Sequence, residues 1–168
     1  MDFYDNPFHI LDATPRDNRQ RIHELADEQS LLGDPERCSN ARSDLTNPRK
    51  RLAAEAAWLP GVGPSRASEA FRLLEGDSGN LRNATELPPL AQANLYAAAI
   101  SRLGTKISAH DLAAWITELA AAYEGIDDGN VLILINEDRS LAGFPQVSDL
   151  SIIESELGER RSHRMQYP

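Results

Sequence analysis

The sequence predicts an all-α fold, and three observations carry the prediction. Aromatic residues make up only 6% of the chain, so the core must be built mostly from Ala, Leu and Ile, and the first two are good helix formers. Helix-start signals recur: a capping Asn, Asp, Ser or Thr, often followed by proline. Apolar residues return at three- and four-residue spacing behind several of these starts. With 168 residues, 41% of them apolar, the chain can bury a substantial core.

The elements follow in order. Asn6-Pro7 starts a short helix through about Leu11. Thr14-Pro15 repeats the signal, and the next helix is expected from Pro15 to about Leu32, with Ile22, Leu25, Ala26 and Leu32 on one face. Gly33 ends it and Asp34-Pro35 starts a third helix, to about Leu45. Asn47-Pro48 opens a fourth, which stops before Pro60-Gly61. The stretch "LPGVGP", Leu59 to Pro64, is the expected boundary between an N-terminal region, 1–61, and a C-terminal helical region, 65–161.

Ser65 is expected to cap a helix with Ala67, Ala70, Phe71 and Leu74 inward, closed by Gly76. "DSGNLRNATELPP" reads as a polar loop, and a helix follows from Pro88 or Pro89 to Leu103. Ser108 caps an amphipathic helix, Ala109 to Tyr123, whose stripe is Leu112, Trp115, Ile116, Leu119 and Tyr123. Asp127 or Asp128 caps "GNVLILINED". Periodicity alone allows "VLILI" to be a buried strand, but nothing else supplies a strand partner, so helix is preferred. Ser148 begins a last helix through about Arg161, and 162–168 is expected to be a frayed tail.

Charge narrows the function classes. The net charge is −9 and both halves are acidic, so nonspecific nucleic-acid binding, which needs a basic face, is disfavoured. Only Lys50 and Lys106 are lysines among the 17 cations, an Arg bias that suggests a GC-rich bacterial genome. No run of eighteen apolar residues suggests a membrane span, and "MDFYDNPFHILDA" lacks a signal peptide's basic start and apolar centre. The single cysteine, Cys38, excludes an internal disulfide. Cytoplasmic residence is therefore the expectation.

The first sixty residues resemble a J domain, the helical module that drives DnaK-type chaperones. "NPFHILDATP" is similar to the family's opening helix and link, "RDNRQRIHELADEQSLL" to its long second helix, and "NPRKRLAAEAAWLPG" to the start of its fourth. The resemblance implies a helical hairpin scaffold, followed here by a small helical bundle. Where the family places His-Pro-Asp, this chain reads "LLGDPER". The family engages the chaperone ATPase through that loop and a basic second helix. Here the second helix mixes Arg16, Arg19 and Arg21 with Asp17, Glu24, Asp27 and Glu28. The resemblance thus implies a scaffold without ordinary chaperone stimulation.

No catalytic or metal motif emerges. His9, His23, His110 and His163 form no i,i+3 or i,i+4 pair. Cys38 would need a neighbouring base to act as a nucleophile, and a buried thiol is the plainer reading. "PGVGPS" lacks Walker spacing. Asp127-Asp128 and Glu137-Asp138 have no acid–base partner in the sequence. No cofactor or metal is expected. The densest basic cluster is Arg49, Lys50 and Arg51, whose charges oppose the helix dipole of the turn they occupy. That disfavoured placement marks them as candidate partner contacts, although a surface helix start with ion pairs to Asp44 or Glu55 is the plainer reading. Arg16, Arg19 and Arg21 are the second candidate set. The expected function is a noncatalytic protein-interaction adaptor or assembly factor with a protein partner. The alternative is a protein that binds a DnaK-type chaperone, or a true J protein, without stimulating ATP turnover.

Overall fold

The computed structural model describes residues 3–76, 81, 87–104 and 107–166. Among these, every regular element is a helix: α1 (Pro7–Ile10), α2 (Arg19–Ser30), α3 (Pro35–Thr46), α4 (Pro48–Ala56), α5 (Pro64–Glu75), α6 (Pro89–Leu103), α7 (Ala109–Glu124), α8 (Asp128–Ala142) and α9 (Leu150–Gln166). The fold is all-α. No described helix is long and apolar enough to cross a membrane. Most of the expected polar loop, at 77–80 and 82–86, lies outside the described residues, as do 167–168.

Local chemistry sets most starts. The Asn6 side chain accepts from Phe8 N at 3.0 Å, Asp34 from Glu36 N at 2.9 Å, and Asn47 from Arg49 N at 3.0 Å. Each satisfies amide groups that a helix start leaves without partners. Asn47 also closes α3, so one residue ends one helix and begins the next. Ser108 accepts from Asp111 N at 3.1 Å and Asp127 from Asn130 N at 2.7 Å.

Several bounds differ from the sequence reading. α2 begins at Arg19, not Pro15. The Asp17 carboxylate accepts from both the amide and the hydroxyl of Thr14, at 2.6 and 2.9 Å, which holds 14–17 in a turn, and Asn18 caps the helix instead. α2 also stops at Ser30, so Leu32, expected inward, is 83% exposed. α5 starts at Pro64 with Gly63 as its cap, and Ser65 makes no capping bond there. On α7, Trp115 is buried while Ile116, about 100° further round, is exposed. "VLILI" is helical, with Val131 and Ile135 buried four apart and Ile133 exposed between them. α9 continues to Gln166, past the expected end near Arg161.

α2 packs against α3, α1 lies on α3, and α6 pairs with α7. The main apolar cluster joins Phe8, Ile22 and Leu45 to Leu95, Trp115 and Phe144. A second cluster joins Leu52 and Ala56 of α4 to Leu90, Val131, Ile135, Ile153 and Leu157. Both clusters therefore draw on both regions expected from the sequence. Domain boundaries normally fall in exposed linkers, whereas Leu59, Pro60 and Val62 of the expected boundary are buried. Gly61 sits among them at φ +75, its amide donating to Asp138 Oδ2 at 3.0 Å.

Candidate functional site

The six candidate cations divide sharply. Arg51 is 0% exposed and is not a surface contact, which corrects the sequence reading. Its Nε donates to Glu55 Oε1 at 2.7 Å, one helical turn on. Its other nitrogens donate to Leu45 O at 3.2 Å and Pro15 O at 2.7 Å. Its guanidinium lies 3.8 Å from the Phe144 ring centre and 5.3 Å from that of Phe8. A guanidinium is well suited to such a place, because it offers five donors and stacks on aromatic faces.

Glu55 is shared. Arg139 Nε on α8 donates to Glu55 Oε2 at 2.8 Å, and its remaining nitrogens donate to Pro145 O and Pro48 O at 3.1 and 2.9 Å. The result is a buried Arg–Glu–Arg cluster that also satisfies four backbone carbonyls. Burial pushes the Glu55 carboxyl above its ordinary value, opposed by the two guanidiniums. Burial likewise pushes Arg51 down, opposed by Glu55. The cluster is an internal clasp between α4 and α8.

Arg16 and Arg19 serve the same contact from α2 and the turn before it. Arg16 Nε donates to the buried Asp138 of α8 at 2.8 Å, and the Arg19 guanidinium lies 4.9 Å from the Phe144 ring centre. Arg21 is exposed and held by Glu24 and Glu28 at 3.3 and 3.1 Å. Lys50 is exposed and pairs with Asp44 at 2.8 Å. Arg49 is exposed at the first turn of α4. The cations thus do not form one patch: Arg16, Arg19 and Arg51 reach toward α8 and Phe144, Arg19 while remaining exposed, whereas Arg21, Arg49 and Lys50 face solvent.

The most exposed of the large apolar side chains among the described residues lie elsewhere. Leu31 and Leu32, at the tip of the α2–α3 hairpin, are 87% and 83% exposed. The tip is held by Gly33 N donating to Gln29 O at 2.9 Å and by the Asp34 cap beyond it. The sequence signal was present, as two adjacent leucines directly before a Gly-Asp-Pro break, but helical spacing assigned the second to the core.

A cleft of about 720 Å³ lies behind α1, walled by Trp58, Phe71 and His9 with Asp12, Arg72 and Glu75 among its polar lining. The His9 ring stacks on Phe71 at 5.9 Å. Burial pushes the His9 imidazole below its ordinary value of 6.5, against the pull of Glu75 and Asp12. Asp12 adopts φ +51 because it closes α1: its amide donates to His9 O at 3.2 Å and that of Ala13 to Phe8 O at 2.8 Å. The hydroxyls bordering the cleft are engaged, Thr14 with Asp17 at 2.9 Å and Ser68 with Pro64 O at 3.0 Å. Cys38 is buried on α3. Among the described residues, no group of three His, Cys, Asp or Glu side chains is placed to hold a metal ion.

No family model, no curated protein and no solved structure matches the chain.

Proposed function

We propose that this chain is a noncatalytic protein-interaction adaptor or assembly factor, built on a J-domain-like hairpin that lacks His-Pro-Asp. One observation carries the reading: the α2–α3 tip presents Leu31 and Leu32 to solvent, whereas Ile22, Leu25 and Ala26 of α2 and Cys38, Ala41 and Leu45 of α3 are buried. A convex apolar tip on a capped hairpin is suited to insertion into a partner's pocket. Burying two leucines is worth about 1.5–3 kcal/mol each, to which surrounding contacts must add to offset the cost of association. The test is a native pull-down from the host, comparing the wild type with the double variant Leu31→Ser/Leu32→Ser. A stable protein partner, lost with the double variant, is expected. Recovery of a DnaK-type chaperone alone, with its ATPase accelerated by this chain, rejects the proposal.

A second reading keeps a chaperone partner without stimulated turnover, and the exposed Arg49 favours it. Arg49→Glu is the clean variant, since Arg19 also touches Phe144. Direct binding to a DnaK-type chaperone, abolished by Arg49→Glu, supports this reading. No binding at tens of micromolar ends it.

A further inference from the structure

We infer that the hairpin tip docks into an apolar pocket rimmed by lysine and arginine side chains on a folded protein partner. The inference rests on the docking reading of Leu31 and Leu32 given above and adds the partner's chemistry. From Ile22 to Glu36 the chain carries Glu24, Asp27, Glu28, Asp34 and Glu36 and neither lysine nor arginine. The nearest guanidiniums only partly offset them. Arg21 reaches Glu24 and Glu28, and Arg42 stands 3.8 Å from Asp27, which is itself 80% exposed. Arg37 turns away to Asp5 at 2.7 Å. Exposed pairs of this kind are weak and screened, so they yield readily to a partner's cations. Asp34 and Glu36, two and four residues after Leu32, make no ion pair among the described residues.

The acidic character continues below the tip. A shallow cleft beside α3 is bordered by Asp5, Asp34, Glu36 and Asp44; Asp5 is paired with Arg37 and Asp44 with Lys50, which leaves Asp34 and Glu36 as its carboxylates without an ion pair among the described residues. Two leucines alone would not discriminate among apolar pockets. Neighbouring carboxylates do, because they repel acidic surfaces and steer basic ones during encounter. Exposed charges act over a Debye length, so the steering must fall as salt rises.

The experiment places photoreactive p-benzoylphenylalanine at position 32 of the full chain, in native host lysate, with the same probe at the exposed position 155 as control. It is irradiated at about 50 and about 300 mM salt. A discrete adduct specific to position 32 is expected, with a yield that falls several-fold at high salt. The charge-removing variant Asp34→Asn/Glu36→Gln should lower the low-salt yield similarly. Asparagine caps a helix as well as aspartate, so α3 is preserved, and circular dichroism verifies this. An adduct at 32 indifferent to salt and to the double variant overturns the basic rim while leaving the docking reading intact. Absence of any adduct specific to 32 overturns the docking reading itself.

Discussion

At the scale of single residues, Glu55 carries the most. It holds two guanidiniums, one from its own helix and one from 84 positions along the chain. Removing one member of a buried ion cluster leaves uncompensated charge and costs about 3–5 kcal/mol. Glu55→Ala should therefore lower stability by that order, whereas Lys50→Ala, which breaks an exposed pair, should cost below about 1 kcal/mol. Urea denaturation of the two variants checks both. His9 makes a second prediction. Its folded pKa is depressed, so the unfolded chain binds the proton at higher pH than the folded one. Its contribution is complete above the ordinary value of 6.5 and is lost as pH falls through the window below it. His9→Phe should flatten the decline of the urea midpoint over that window; an unchanged slope would remove His9 as its source. The i,i+4 spacing of Arg51 and Glu55 was legible in the sequence, and their pairing was foreseen as one option. That both would be buried was not, because it depends on Arg139 and Phe144 arriving from far along the chain.

At the scale of elements, what the sequence revealed was local. Caps at Asn6, Asp34, Asn47, Ser108 and Asp127 were readable because each acts on amides two or three residues away. The start of α2 was misread because Thr14-Pro15 mimics such a cap while Asp17 ties Thr14 into a turn. The tip was misread because helical spacing carries on past the point where the helix stops. The 59–64 segment looked like a linker for its prolines and glycines, yet those residues serve close packing. A Cβ on Gly61 would lie 2.7 Å from Leu134 Cδ2, at a backbone angle that side chains resist. Gly61→Ala should destabilise the fold by about 1–3 kcal/mol, measured as a lower urea midpoint.

For the whole molecule, shared cores imply shared fate. Trp58 and Trp115 lie on either side of the 59–64 segment and belong to one cluster. Single-tryptophan variants, Trp58→Phe and Trp115→Phe, should report coincident urea transitions; separated midpoints would indicate two independent units. The sequence located the helices and a boundary candidate at 59–64, but the contacts that cross it were not legible, because Asp138 and Arg139 gave no local sign of their distant partners. The double duty of Asn47 has a mechanical corollary. With no spare residue at the corner between α3 and α4, any bending there must pass through the backbone of Asn47 alone. Twelve residues of α3 make a strut of about 18 Å, so a load applied at Leu32 is delivered at its far end to the helix that bears Arg51 and Glu55.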